Sequence, residues 1–312
     1  GKACQTRRVC TRSSPPRLGW KVCIVPVNAY SKAFSELPWM PDSRIVSVPQ
    51  RGEFFVRYAR HENPQAPVVV LLHGWTGNAD INFFPVYAEL AQQCSLVAID
   101  HRGHGRGLRT NDRFTLEDCA DDAVAIMDEL GLASVTAVGY SMGGPIAMLM
   151  SKRHPTRVHS LVLCATALEW SATRNERARW KVGRVVSPLF RVVSTPRIID
   201  RYIKGKIPRS SSAAPLRPWL VSEIRRNDSW TMNQAGRTLS KYDARPWAGT
   251  LGVPTVSIVT SRDALVAPHK QQALAQATQA TVIEIDGDHL VNWQKPEVFT
   301  AAVVDAIRRV RG

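Results

Sequence analysis

Residues 136–148, TAVGYSMGGPIAM, set one serine among glycines at the end of an apolar run. SVTAVG before it reads as a strand and MGGPIAMLMSKRH after it as a helix. Gly139-Tyr140-Ser141-Met142-Gly143 therefore matches G-x-S-x-G in the strand-turn-helix setting that gives this elbow its meaning. So tight a turn brings the residues two before and two after the serine together, leaving little room for a Cβ at Gly139 or Gly143. Gly144 relaxes the packing further. The serine stands at the head of a helix, where free N–H groups and the positive dipole end stabilise developing negative charge. Ser141 is a candidate nucleophile.

The same alternation extends in both directions. RIVSVP, FFVRYAR, PVVVLLHG and SLVAID read as strands, and TLEDCADDAVAIMDEL as a helix opened by a capping box of Thr115 and Asp118. VHSLVLCA is the next strand, and after residue 250 PTVSIVTS, HKQQALAQA, TVIEID and PEVFTAAVVDAIRRV resume the pattern. Almost wholly apolar runs fit strands buried on both faces, so the fold class is α/β, a doubly wound and mostly parallel sheet. Its ligands belong beyond the carboxyl ends of the strands. Residues 168–250 break the pattern, with helical patches around 172–186 and 216–240, and read as a helical cap. The core is then 45–167 with 251–312. Residues 1–44 form an N-terminal tail, with a short packed helix expected somewhere in 20–40.

Composition narrows the class. The 312 residues are 44% hydrophobic and 21% charged, an ordinary globular balance. No stretch approaches the roughly 20 apolar residues that span a bilayer. The net charge of +15 divides as +6 over residues 1–44, −2 over 45–167, +11 over 168–250 and zero over 251–312. Basicity thus lies outside the segments that carry the chemistry. Without zinc-finger, helix-turn-helix or RNA-binding aromatic signatures, it predicts no nucleic-acid partner. A solvated basic face is favoured over an anionic substrate or an acidic membrane surface. Cys4, Cys10 and Cys23 fall in the tail, and Cys94, Cys119 and Cys164 in apolar-periodic segments, which fits a reducing compartment rather than a disulfide framework. The expectation is a soluble, cytoplasmic protein. Residue 1 is Gly, which leaves open a leader already removed.

A serine hydroxyl needs a base, usually a histidine held by a carboxylate, and after an elbow the acid precedes the histidine. Asp263, beyond PTVSIVT, and His289, beyond TVIEID, have that order and the same sheet edge as Ser141. His73, His101 and His104 come before the serine, in turns with other roles. His269 follows Pro268 at a helix start, and Asp286 and Asp288 read as loop formers. An oxyanion hole would use the Met142 amide and one from the loop in LLHGWTGN, with Trp75 as donor and His73 and Gly74 shaping the approach.

HGW at 73–75, DHRGHGRG at 100–107, GYSMGG at 139–144, Asp263 in SRDALVAP and His289 in GDHL together resemble the α/β-hydrolase fold family, in its capped serine-hydrolase form. The resemblance spans roughly residues 45–312 and implies that DHRGHGRG is a structural turn. It departs from haloalkane dehalogenases and epoxide hydrolases, which place an aspartate where Ser141 stands. The expected reaction is hydrolysis of a small-molecule, apolar carboxylic ester, with no cofactor and no metal. Cofactor-free haloperoxidases and carbon–carbon bond hydrolases share the motifs and stay open. A non-catalytic, ligand-binding role is disfavoured, because a binding module has no need of all these residues together. Trp170, Trp180, Trp219, Trp230, Trp247 and Phe190 either line a pocket beneath the cap or hold it together.

Overall fold

The computed structural model describes residues 37–193 and 196–311, and the side chains of all of these except 184–193 and 196. Most of the N-terminal tail with its three cysteines, residues 20–36 of the segment 20–40 expected to hold a short helix, and the Phe190 side chain lie outside the described residues, and residues 37–40 are not helical.

Eight strands, β1 (Asp42–Val48), β2 (Gly52–Ala59), β3 (Val68–Leu72), β4 (Ser95–Ile99), β5 (Val135–Tyr140), β6 (Val158–Cys164), β7 (Thr255–Thr260) and β8 (Thr281–Ile285), form one sheet in the order β1-β2-β4-β3-β5-β6-β7-β8. β1 pairs antiparallel with β2, and β2 with β4; every later pairing is parallel. β1 starts at Asp42, so the tail boundary expected at residue 44 falls inside the first strand.

The apolar runs are explained by helices on both faces. α1 (Ala79–Phe83), α2 (Tyr87–Ala91) and α11 (Pro296–Arg309) cover one face; α3 (Leu116–Glu129) and α4 (Gly143–Arg153) cover the other. Alternate side chains of β3 serve each side. Val69 and Leu71 pack in the cluster of Phe83, Leu90 and Phe299, while Val70 and Leu72 join Ile126, Met127 and Ile146. Each fully buried Leu or Phe is worth about 1.5–3 kcal/mol over exposure, and with helices on both faces β3 gains from both sets of side chains. Thr115 caps α3 as expected, its hydroxyl accepting from the Asp118 N–H and the Asp118 carboxylate from the Thr115 N–H. Cys94, Cys119 and Cys164 are buried free thiols.

Between β6 and β7 the described residues form four α-helices, α5 (Arg174–Val193), α6 (Pro196–Lys206), α7 (Arg217–Ile224) and α8 (Ser229–Leu239), before α9 (Pro268–Ala277) and α10 (Val291–Gln294) complete the core. The expected helical patches correspond to α5, α7 and α8, and α6 is an addition. Ile199, Ile203 and Ile207, four apart, pack on Leu37, Ile81, Trp219 and Trp293, but exposed Ile198 and Tyr202 blur that stripe in the sequence. Among the described residues no helix is long and apolar enough to cross a membrane.

Candidate active site

Ser141 sits between the end of β5 and the start of α4, at φ +53°. That left-handed value is uncommon for a residue with a Cβ, and the surroundings impose it. The Ser141 N–H donates to the carbonyl of Cys164 (2.8 Å), and its own carbonyl accepts from the Gly144 N–H (2.9 Å) and the Thr166 hydroxyl (2.8 Å). A Cβ on Gly139 would collide with the carbonyl of Gly143, and one on Gly143 with the carbonyl of Leu72. The two glycines flanking the serine are thus required by close approach, as the motif implied.

The structure brings the three expected side chains into one hydrogen-bonded chain. His289 Nε2 lies 3.0 Å from Ser141 Oγ, and His289 Nδ1 lies 2.7 Å from Asp263 Oδ2. Because a carboxylate only accepts, Nδ1 carries the proton and Nε2 turns its lone pair to the serine. Asp263 is buried, and its Oδ1 accepts from the N–H groups of Leu265 (2.8 Å) and Val266 (2.9 Å). Burial alone would raise its pKa, but the hydrogen bond and charge of His289, with those two N–H groups, outweigh it and hold the carboxyl below its usual range.

Three supporting side chains escaped the sequence reading. Thr260 Oγ1 (3.0 Å) and Gln271 Nε2 (3.2 Å) both donate to Asp263 Oδ2. The Tyr140 hydroxyl donates to the backbone carbonyl of His289 (2.5 Å), tying the elbow to the histidine loop, and burial raises that phenol well above its ordinary pKa. The identity of the residue before the serine was the available signal, but nothing local shows where its ring points.

The loop after β3 packs against the elbow. A Cβ on Gly74 would stand 3.1 Å from Ser141 Cβ, and the Gly74 N–H is taken by Asn82 Oδ1 (2.8 Å). Buried His73 accepts the His101 N–H at Nε2 (2.9 Å), so its Nδ1 donates to the Gly74 carbonyl (2.8 Å) and fixes the loop. His101 and His104 lie against it, ring centroids 4.4 and 5.2 Å from His73. The DHRGHGRG turn is thus a packing element beside the site. Among the described residues neither the Trp75 nor the Met142 N–H finds an acceptor.

The competing residues have other partners. Asp286 pairs with Arg262 (2.7 Å) and Lys295 (2.9 Å), Asp288 accepts from the Leu290 N–H (2.7 Å), and His269 is the second residue of α9. Of the tryptophans, Trp180 packs against Trp75 with ring centroids 5.2 Å apart and planes tilted by 39°, Trp219 is buried against Phe84, Trp247 packs edge-on to Tyr242 and Trp230 is half exposed. Among the described residues no group of three or more His, Cys, Asp or Glu side chains is arranged to hold a metal ion.

Comparison with known proteins places this architecture. Residues 67–296 match the family model described as alpha/beta hydrolase fold. RutD of Caulobacter vibrioides, to which a carbamate hydrolase activity is ascribed, is 38% identical over 110 residues, 35% of this chain and 41% of that protein, so the match spans less than half of that relative. The 2-(acetamidomethylene)succinate hydrolase of Mesorhizobium japonicum is 25% identical over 258 residues, 79% of this chain and 90% of that protein. Among solved structures, a thermophilic esterase from Thermogutta terrifontis superposes with a TM-score of 0.72 at 21% identity, covering 87% of this chain and all of that one.

Proposed function

The chain belongs to the alpha/beta hydrolase fold family, and from that premise we propose that it is a hydrolase that cleaves a carboxylic ester through an acyl-enzyme on Ser141. The observation that carries this reading is the unbroken chain from Ser141 Oγ through His289 to Asp263.

In this reading Ser141 Oγ attacks the ester carbonyl carbon as His289 Nε2 takes its proton. The carbonyl oxygen becomes an oxyanion, held by the Trp75 and Met142 N–H groups, which have no other acceptor among the described residues. Collapse breaks the bond to the leaving alkoxide, which receives the proton from His289. Water then gives a proton to His289, attacks the acyl carbon and releases the carboxylic acid, restoring the Ser141 hydroxyl. Asp263 keeps the imidazole in the required tautomer and steadies its positive charge. His73, Gly74, Gly139 and Gly143 shape the turns that bring these groups together.

The four helices within 168–250 act as the cap over this edge. Trp75, 37% exposed and packed against Trp180, offers an apolar surface beside the serine turn, which suits an apolar acyl or alkyl group. The test is a series of p-nitrophenyl esters from two to about twelve carbons with Ser141→Ala alongside. Turnover lost in the variant supports the reading, and the chain-length optimum sizes the space under the cap. Turnover that persists in Ser141→Ala overturns it.

A further inference from the structure

The turn joining α7 to α8 grips two core loops at once. Glu223 pairs with Arg106 (3.0 Å) and accepts from Asn78 Nδ2 (2.9 Å), and the Arg226 carbonyl accepts from Arg109 (2.6 Å). Asn227 Oδ1 accepts the Gly105 N–H (2.7 Å), and the Asp228 N–H donates to the Gly103 carbonyl (2.8 Å). Apart from the Asn78 contact, which reaches the loop after β3, these fasten the insert to the loop after β4.

The other side of the same turn reaches the loop after β3. Asn227 Nδ2 donates to the carbonyl of Thr76 (2.7 Å), and the carbonyl of Met232, in α8, accepts the Trp75 indole N–H (2.7 Å). Gly236, one turn further on, lies so close beneath the indole that a Cβ there would meet ring carbon Cζ2 at 2.5 Å. Thr76 itself is held at φ +65°, a conformation a β-branched residue seldom adopts unless its surroundings demand it. The loop therefore has an unfavourable local geometry; core groups hold it at Gly74, and the insert clamps it at residues 75 and 76.

We infer that Asn227 and Gly236 are positioning residues for catalysis: they and the Met232 carbonyl hold residues 75 and 76 so that the Trp75 N–H points where the oxyanion forms. This rests on the serine hydrolase reading and adds to it that the insert builds part of the catalytic electrostatics besides covering the substrate. A misplacement of about 1 Å at a reacting centre costs on the order of 10²-fold in rate. The loss falls on kcat, because the oxyanion exists only after attack.

The experiment compares a p-nitrophenyl ester with its thionoester in the full-length protein. Sulfur is a weak acceptor of N–H hydrogen bonds, so the advantage of the carbonyl ester over the thionoester reports how well the oxyanion is held. Asn227→Asp keeps the acceptor for the Gly105 N–H and removes the donor to Thr76, while Gly236→Ala pushes on the indole. Each should lower kcat for the carbonyl ester by about 10–100-fold with KM nearly unchanged, and reduce the carbonyl-to-thiono ratio by a similar factor. Where Asn227→Asp does not fold, Gly236→Ala and Trp75→Phe, which removes the indole N–H, carry the same comparison. Equal losses on both esters, or a change confined to KM or to melting temperature, overturn the inference while leaving the hydrolase reading intact. Absence of Ser141-dependent turnover in the wild type overturns that reading and the inference with it.

Discussion

Replacing Asp263 by Asn exchanges one oxygen for an NH2 group and should disable the site through a tautomer. The Leu265 and Val266 N–H groups, at 2.8 and 2.9 Å, require an acceptor and will hold the amide oxygen of the introduced side chain where Oδ1 now lies. The amide NH2 then takes the place of Oδ2, facing His289 Nδ1 (2.7 Å), Thr260 Oγ1 (3.0 Å) and Gln271 Nε2 (3.2 Å). Meeting a donor, Nδ1 must give up its proton and present its lone pair. The proton moves to Nε2, which faces Ser141 Oγ at 3.0 Å and can no longer accept from it. In a serine protease triad this error costs about 10⁴ in kcat, equivalent to about 5 kcal/mol of transition-state stabilisation. Gln271 Nε2 keeps the Val266 carbonyl (2.7 Å) and Thr260 Oγ1 (2.9 Å) as acceptors, so the introduced amide leaves no Gln271 N–H unpaired and the fold should be retained. The assay is the single-turnover release of p-nitrophenol at pH 8, with melting temperature measured in parallel. A folded Asp263→Asn protein that acylates within tenfold of wild type would refute the assignment of Asp263 as the orienting acid.

Further expectations follow from the same geometry. Tyr140→Phe removes the hydroxyl that donates to the His289 carbonyl; it should lower stability by about 1–3 kcal/mol and kcat more than KM, as chemical denaturation and steady-state kinetics will show. Burial, with neighbouring histidines for His73 and His101, holds His73 well below its usual pKa, His101 at about 3 and His104 at about 4. Unfolding frees them to bind protons below about pH 6.5, so stability is full above that pH and falls as pH drops towards the folded values, by up to about 1.4 kcal/mol per unit for each histidine. Denaturant midpoints across pH 7.5 to 4.5 check this, and His104→Asn should make the fall shallower. The low pKa of Asp263 has the same direction but a lower window: its contribution is present above about pH 4 and is lost as pH falls through its depressed folded value. Gly143→Ala, whose Cβ would strike the Leu72 carbonyl, should destabilise by about 1–3 kcal/mol or more by overpacking, read as a drop in melting temperature.

Much of the site was legible because its constraints are local. The elbow is written in glycines, since Gly139 and Gly143 answer to backbone atoms within a few residues or on the adjacent strand. Asp263 and His289 were found by address, because residues just past parallel strands share one edge of the sheet. Tyr140, Thr260 and Gln271 were missed because their roles depend on where a side chain points in three dimensions. Tyr140 acts on a carbonyl 149 residues away. The clamp on Trp75 was invisible for a further reason: Met232 contributes only its backbone carbonyl and Gly236 only the absence of a Cβ. Helix α6 escaped because its buried isoleucines are interleaved with exposed Ile198 and Tyr202.

Covalent acylation of Ser141 is read out by mass spectrometry of the protein quenched during turnover of a short p-nitrophenyl ester. One added acyl group is expected, located on the peptide that contains Ser141 and absent from Ser141→Ala, with a burst of p-nitrophenol that matches the acylated fraction. An acyl group on another residue, or undiminished hydrolysis by Ser141→Ala, would contradict it.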